Sequence, residues 1–266
     1  MTPHELLAHH DTGRFWSKPL SARQGYDNLA AYKDALAVRA LRMARAEQPR
    51  GYKIGFTNRT IWPRYNVFGP IWGTVWDTTL TFCSQHQVLS LAGLCQPRIE
   101  PEIVFGFKKT PKTGATLDDI YQALDWIAPG FEVVQSHLLD WKFEATDTIA
   151  DGGLHGRLIV GEKTAVDTVA LSAQDLHAML ATSSVALYRD ETQVEVGKGS
   201  NVLDSPLCAL EHFLKELRAC PGAADIQAGD VVTTGTWTDA YSVDSGQTWR
   251  ASFDMPVSSL ALCFEG

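Results

Sequence analysis

The stretch RIEPEIVF, residues 98–105, places two carboxylates among apolar residues in a strand-like pattern. On an extended strand, side chains at positions i and i+2 point to one face roughly 6.5 to 7 Å apart, so Glu100 and Glu102 would share one space. A third acid, Glu132, lies in the apolar run GFEVV, residues 130–134. Unpaired, these charges would repel each other and lose hydration, which a hard cation such as Mg²⁺ or Mn²⁺ would offset. This acid trio therefore predicts a divalent-metal site.

The alternative is that Glu100 and Glu102 face solvent on an edge strand. Pro101 would permit this, because an edge position needs no inward hydrogen-bond donor. Against it, Val104 shares the acids' face, and Glu132 has no basic residue beside it in the sequence. We therefore prefer the metal site.

Composition bounds the class of protein. The chain has 266 residues, of which 45% are hydrophobic and 20% charged, as in ordinary globular enzymes. No apolar run approaches the roughly 18 residues of a membrane helix, and the first residues lack the basic start of a secretory signal, so we expect a cytoplasmic protein. A net charge of -8 disfavours nucleic acid as a partner. The five cysteines form no CxxC pair and are expected to be reduced.

The order of elements predicts an α+β fold. Residues 1–50 are expected to form a helical appendage, with a short helix near Pro3–His9 and a long one that begins at a capping box of Ser21 and Gln24. Residues 51–266 are expected to form a β-rich catalytic domain with a folded or rolled sheet. No glycine-rich nucleotide loop is present. The predicted strands are Tyr52–Phe56, Gly73–Trp76, Arg98–Phe107, Gly130–Val134, Gly156–Val160, Ser184–Arg189, Thr192–Gly197, Asp230–Thr234, Thr248–Phe253 and Ser258–Phe264, and the predicted inserted helices are Thr116–Asp125, Ser172–Thr182 and Ser205–Leu217.

Lys53 and Asp77 are two further candidate site residues, because of the residues around them. Lys53 is a lone cation in the apolar strand GYKIGFT, residues 51–57, although a strand lysine is more often solvated. Asp77 closes the strand GTVWD, where an aspartate is also an ordinary entry to a loop. The segment 140–156 carries many polar residues and glycines directly after the Glu132 strand, in a position where sites are often built.

Together these segments resemble the fumarylacetoacetate hydrolase superfamily, and within it the 2-oxopent-4-enoate (2-hydroxypenta-2,4-dienoate) hydratase and 4-oxalocrotonate decarboxylase branch. The likeness extends through most of the chain. It is carried by GYKIGFT (51–57), PRIEPEI (97–103), FEVV (131–134), DWK (140–142), DTIAD (147–151), GDVV (229–232), Gly235-Thr236 and GQT (246–248).

The resemblance implies a mixed β-roll or sandwich fold and assigns roles to residues. Glu100, Glu102 and Glu132 would bind Mg²⁺ or Mn²⁺. Lys53, with Asp77 beside it, would act in substrate binding and proton transfer, and Asp151 would also belong to the catalytic group. Thr234 and Thr236 would lie near the substrate carboxylate, although threonine is also an ordinary strand residue. The small 2-oxo acid substrate would chelate the metal and react through an enolate.

The chain also departs from the family pattern. Asp151-Gly152-Gly153-Leu154-His155 replaces the usual Asp-Asn-Ala-Ser-Ser, and Asn201–Pro206 lacks a familiar histidine. His155 is either a replacement acid/base, because imidazole titrates near neutral pH, or a structural residue.

Three functions follow from these expectations. The preferred one is a metal-dependent hydratase of aromatic catabolism that adds water to an unsaturated 2-hydroxy or 2-oxo acid. The alternative is 4-oxalocrotonate decarboxylase with the same metal site, which would need a second cationic contact for the distal carboxylate. The lesser alternative is a catalytically idle assembly partner of another enzyme of the pathway. The resemblance also makes a homo-oligomer plausible.

Overall fold

The computed structural model describes all 266 residues. Eight helices and fourteen strands form two sheets and the layers that cover them. The helices are α1 (Pro3–Thr12), α2 (Asn28–Ala44), α3 (Trp62–Tyr65), α4 (Leu117–Tyr121), α5 (Ala145–Ala150), α6 (Val166–Val169), α7 (Ala173–Thr182) and α8 (Pro206–Ala219). The strands are β1 (Pro49–Gly55), β2 (Ile71–Trp76), β3 (Leu80–Phe82), β4 (His86–Ser90), β5 (Arg98–Phe107), β6 (Leu124–Val134), β7 (His155–Val160), β8 (Thr164–Ala165), β9 (Ser184–Arg189), β10 (Thr192–Lys198), β11 (Val231–Thr233), β12 (Tyr241–Ser242), β13 (Thr248–Phe253) and β14 (Leu260–Glu265).

The larger sheet has nine strands and carries the acid trio. Its order is β2-β1-β11-β5-β6-β7-β3, with β12 added to β5 and β8 added to β6. The pairs β1–β11 and β3–β7 are parallel, and the others are antiparallel. The mixed α+β architecture predicted from the sequence is thus confirmed.

The smaller sheet has the order β10-β9-β13-β14-β4. In β14 the residues Leu260, Leu262 and Phe264 are buried and alternate with partly exposed ones, as the sequence pattern predicts. The main apolar core has 41 buried residues and includes side chains of both sheets and of α7 and α8. Helix α8 joins it because its N-cap Ser205 and Pro206 start the helix and its apolar stripe faces inward.

The N-terminal helices contribute to a second apolar cluster of ten buried residues. Leu6 and Leu7 of α1 and Val38 of α2 meet Ile71 of β2 and Ile149 of α5 there. The helical region 1–50 therefore packs on the later chain through shared apolar contacts. A domain boundary at residue 50 stays a prediction. No helix of the structure is both long and apolar enough to cross a membrane.

The predicted start of the long helix is wrong. Helix α2 begins only at Asn28, where the Asp27 side chain accepts a hydrogen bond from Ala30 N at 2.9 Å. Ser21 donates its backbone N–H and its hydroxyl to Asp147, at 2.8 and 2.7 Å. A partner 126 residues away thus replaces the local capping box.

The inserted helix predicted over Thr116–Asp125 is also too long. It contains only α4, because β6 already begins at Leu124. Strands β3, β4, β8 and β12 are not among the predicted ones, because a strand of two to five residues is too short to show an apolar period.

Candidate metal centre and active site

The structure brings the acid trio together on the two central strands. Strands β5 and β6 are antiparallel, with Glu100 directly opposite Glu132 and Glu102 opposite Gly130. One carboxylate oxygen from each of the three residues lies within 4.8 Å of the others. Glu102 and Glu132 are completely buried, whereas Glu100 is half-buried and lines an open cavity. This arrangement offers three hard oxygen donors to one small cation.

The hydrogen bonds of the trio leave one inner oxygen, Glu102 Oε1, without a donor. Glu102 Oε2 accepts from Thr233 Oγ1 and, at 2.7 Å, from Gly235 N. Glu132 Oε1 accepts from His155 Nδ1 at 2.8 Å. Glu102 Oε1 is buried and accepts no hydrogen bond, and Glu132 Oε2 has the Lys53 ammonium at 3.0 Å as its polar contact. A buried polar oxygen normally has a partner, so Glu102 Oε1, beside two further carboxylates, fits a divalent cation held between the strands.

The charges of the trio oppose one another. Burial raises the pKa of Glu100 to about 7, and burial together with the charges of Glu132 and Glu100 raises the pKa of Glu102 well above its usual range. Burial also acts on Glu132, but the charge of Lys53 and the hydrogen bond from His155 outweigh it and hold this pKa below the usual range. A bound divalent cation would favour the ionised form of all three groups.

Lys53 is buried at the same site, with an exposed fraction of 3%. Its Nζ donates to the Gly153 carbonyl at 2.8 Å and lies 3.0 Å from Glu132 Oε2 as an ion pair. Burial lowers the pKa of Lys53, but the charges of Glu132, Glu100 and Glu102 together raise it above the usual value. The amine is therefore held as an ammonium beside the trio.

His155 lies behind Glu132, away from the cavity that Glu100 and Lys53 line. Its Nδ1 contacts Glu132, and its Nε2 shares a hydrogen bond of 2.8 Å with Thr79 Oγ1. Burial lowers its pKa. Because both ring nitrogens are occupied by protein groups, the geometry suits a residue that orients Glu132.

The structure does not bring Asp77 to this group. Strands β1 and β2 pair Lys53 with Gly73, so Asp77 lies four residues further along, roughly 13 Å at a rise of 3.3 Å per residue. Asp77 is exposed, and its Oδ1 accepts from Gln48 N at 3.0 Å. Geometry gives no support to its predicted role beside Lys53.

Asp151 and the two predicted threonines have mixed placements. Asp151 is buried, but its carboxylate contacts His137 and His10 instead of the trio. Thr234 is buried and donates its hydroxyl to the Ile103 carbonyl at 2.9 Å, whereas Thr236 lines the cavity. Of these three residues, only Thr236 is placed to contact a substrate.

The cavity in front of the trio has a volume of about 270 Å³. It combines aromatic walls with Lys53 and two arginines, Arg64 and Arg98. The Arg98 guanidinium lies 4.2 Å from the ring centre of Trp141, and its Nε is buried without a hydrogen-bond partner. The site can therefore accept an anionic small molecule.

Four further residues of the site are not among the predicted ones, namely Thr233, Gly235, Arg64 and Arg98. For Gly235 the sequence did hold a signal, since the Gly235-Thr236 pair is part of the resemblance. In the structure its φ of +100° requires glycine, a Cβ there would lie 2.0 Å from Thr57 Oγ1, and its N–H contacts Glu102. The other three reach the site only through strand register and loop packing.

No family model matches the chain. The chain is 31% identical over 234 residues to a 2-hydroxyhexa-2,4-dienoate hydratase of Comamonas testosteroni, covering 88% of this chain and 83% of the relative. It is 27% identical over 228 residues to a 4-oxalocrotonate decarboxylase of a Pseudomonas species, covering 84% of each. Among solved structures, it superposes with a TM-score of 0.85 and 25% identity on 4-oxalocrotonate decarboxylase from Pseudomonas putida G7 complexed with magnesium and adipate, covering 99% of this chain and 98% of that one.

Proposed function

The chain belongs to the fumarylacetoacetate hydrolase superfamily, in the branch of the 2-oxopent-4-enoate hydratases and 4-oxalocrotonate decarboxylases, and we propose that it is the hydratase of a small unsaturated 2-hydroxy or 2-oxo acid. Such enzymes are metal-dependent lyases. The proposal includes Mg²⁺ or Mn²⁺ as the metal and 2-hydroxypenta-2,4-dienoate as the simplest substrate.

The observation that carries the proposal is the convergence of three carboxylates in which one buried oxygen, Glu102 Oε1, accepts no hydrogen bond and Glu132 Oε2 contacts only Lys53. The three carboxylates would hold the cation, and an all-oxygen donor set suits Mg²⁺ or Mn²⁺ better than a soft metal. When bound, the cation would supply Lewis acidity to the substrate oxygens beside it.

The remaining steps fall to side chains of this chain. Lys53 Nζ, held by the Gly153 carbonyl, would keep a proton at the inner end of the cavity and exchange it with the substrate. Thr236 would contact the substrate carboxylate from the cavity wall. The aromatic walls around Trp141 would pack against the apolar part of the substrate.

Metal removal tests this function. We expect turnover of 2-hydroxypenta-2,4-dienoate to fall at least about 100-fold after treatment with a chelator, and to return with added Mg²⁺ or Mn²⁺, since the metal stabilises developing charge by several kcal/mol. The decay of the diene absorbance measures it. Undiminished turnover in the chelated protein would contradict the proposal.

The decarboxylase alternative has one specific observation in its favour. Arg98, with its unpartnered Nε, and Arg64 supply the cationic contact that a distal carboxylate needs. We expect Arg98→Leu to raise KM for 2-oxohex-3-enedioate about 10-fold or more and to leave KM for the monocarboxylate within about threefold, because a charge-assisted hydrogen bond contributes about 1.5–3 kcal/mol. Release of CO₂ from the dicarboxylate distinguishes the two functions, and the exposed Arg250→Leu is the control.

His155 is proposed to orient Glu132 in place of direct acid/base work. His155→Leu is expected to weaken metal binding about 10- to 100-fold, as loss of a residue that orients a metal ligand does. His155→Asn, whose amide nitrogen takes the place of Nδ1, should restore most of it. Calorimetric titration with Mn²⁺ measures both. Unchanged metal affinity with a large fall in kcat would instead support the acid/base role.

Three broader proposals accompany this function. We propose a cytoplasmic enzyme that forms a homo-oligomer and associates with another enzyme of the same pathway. Large exposed apolar side chains, Phe68 at 87% and Leu171 at 88%, are compatible with such contacts.

A further inference from the structure

A buried polar cluster lies behind the Lys53 site. Asp151 Oδ1 is 2.6 Å from His137 Nδ1 and 3.4 Å from His10 Nε2, and Asp151 Oδ2 accepts from His137 N at 3.1 Å. Asp151 and His137 are 2% and 0% exposed. The proposed mechanism uses none of the three groups. A buried carboxylate with this many contacts is held in one orientation.

We propose that Asp151, His137 and His10 are positioning residues for Lys53. In this inference, which rests on the proposed function, the cluster fixes the turn that follows Asp151, and the turn presents the Gly153 carbonyl to Lys53 Nζ. Helix α1, which carries His10, thereby becomes part of the catalytic apparatus.

The turn transmits position because it has little freedom to move. Gly152 and Gly153, which directly follow Asp151, have φ values of +64° and +72°. A Cβ on Gly73 of β2 would lie 1.9 Å from the Gly152 carbonyl oxygen, and one on Gly153 would lie 2.9 Å from Lys53 Cδ. The turn is therefore packed directly against both β2 and the lysine side chain.

Lys53 Nζ depends on this carbonyl for its orientation. Its two polar contacts are the Gly153 carbonyl at 2.8 Å and Glu132 Oε2 at 3.0 Å. If the turn shifted, the ammonium would follow the Glu132 carboxylate alone. A displacement of the ammonium by about 1 Å is enough to slow proton transfer strongly, whereas the acid trio keeps its own contacts.

The cluster is held from the N-terminal side by aromatic packing. The rings of His10 and His137 meet edge to face with centroids 4.8 Å apart, and the Trp16 ring stacks on His137 at 6.2 Å. Trp16 N donates to the His137 carbonyl at 2.7 Å. The N-terminal segment, through His10, and the distant His137 thus meet at one carboxylate.

Burial lowers the pKa of His10 to about 3, so its ring is neutral. Burial also acts on His137, but the Asp151 carboxylate outweighs it and raises that pKa. The Asp151 carboxylate therefore favours the charged form of the His137 ring, with the neutral ring of His10 beside it. Two histidines and a carboxylate are also a donor set for Zn²⁺, but the 2.6 Å contact is a hydrogen-bond distance, and a second metal is therefore an outcome of the test.

The test compares His137→Leu with His137→Asn, whose amide nitrogen takes the place of Nδ1. We expect His137→Leu to lower kcat about 10-fold, with KM and the Kd for Mn²⁺ within twofold, and His137→Asn to recover most of the loss. His10→Leu, on a partly exposed helix face, should lower kcat about threefold and serves if His137→Leu does not fold. His4→Leu removes an exposed imidazole of the same helix and should change nothing.

A second readout does not need turnover. The rate at which limiting acetic anhydride modifies Lys53, measured by mass spectrometry relative to exposed Lys108, should change at least threefold in His137→Leu and His10→Leu but not in His4→Leu. Unchanged kcat and unchanged Lys53 labelling in both Leu variants would overturn the inference, as would a stoichiometric second metal lost on His10→Leu. If the wild-type protein turns over no substrate, the proposed function fails, and the labelling rates still decide the positioning role.

Discussion

Glu102→Gln is expected to abolish divalent-metal binding and to lower turnover at least about 10³-fold, which corresponds to about 4 kcal/mol of transition-state stabilisation. Glu102 supplies a buried oxygen that accepts no hydrogen bond, and the amide that replaces it carries no charge. Calorimetric titration of the protein with Mn²⁺ measures the binding.

The same variant should fold as well as the wild type when metal is absent. Burial and the neighbouring charges raise the pKa of Glu102 well above its usual range, which favours the protonated form that the amide resembles. We expect the metal-free Tm to stay within about 3 °C of the wild type. Mg²⁺ at 100 times its Kd should stabilise the wild type by about 2.7 kcal/mol and so raise its Tm. This rise should be lost in the variant.

Glu191→Gln on the exposed β9–β10 turn is the matched control and should bind metal normally. A Glu102→Gln protein that retained one Mn²⁺ with unchanged affinity would remove this residue from the metal site. It would also leave its unpartnered oxygen without an explanation.

Much of the fold was predictable from local pattern. The bounds of β5, β9 and β13 agree with the prediction residue for residue, because each is an alternating or apolar run closed by turn residues. The acid trio was predictable for the same reason. The period of two along β5 places Glu100 and Glu102 on one face, and the structure adds the register that sets Glu132 opposite Glu100.

The rest of the site depends on contacts that no local pattern encodes. Thr233 is 131 residues from Glu102, and His10 is 141 positions before Asp151, so their meeting follows from sheet order and from the docking of α1. Asp77 fails for a related reason. The resemblance implies that Asp77 lies beside Lys53, but the antiparallel register pairs Lys53 with Gly73 and leaves Asp77 just past the end of β2.

Lys53→Met is the second substitution with a large expected effect, on stability as well as on activity. It leaves Glu132 buried without its cationic partner, and loss of one member of a buried ion pair costs about 3 kcal/mol. The metal-free protein should therefore melt about 10 °C lower at neutral pH. Turnover should fall about 10²- to 10⁴-fold, the usual range for a proton-transfer residue.

The pH dependence of this loss has a definite sign. Ion pairing holds the pKa of Glu132 below its usual range, so the stability that this carboxylate contributes is present above its unfolded pKa and is lost as pH falls through its folded pKa. The difference in Tm between wild type and Lys53→Met should therefore shrink as pH falls. Thermal melts from pH 7 to pH 3 measure it, with Lys108→Met on the exposed surface as the control.

Added Mg²⁺ separates the two parts that Lys53 plays. A divalent cation among the carboxylates neutralises Glu132 as the ammonium does, so Mg²⁺ should restore most of the lost Tm in Lys53→Met. It should not restore turnover, because a cation has no proton to exchange with the substrate. Recovery of both by Mg²⁺ would mean that Lys53 only balances charge, and the proton-transfer role would then pass to another group at the cavity.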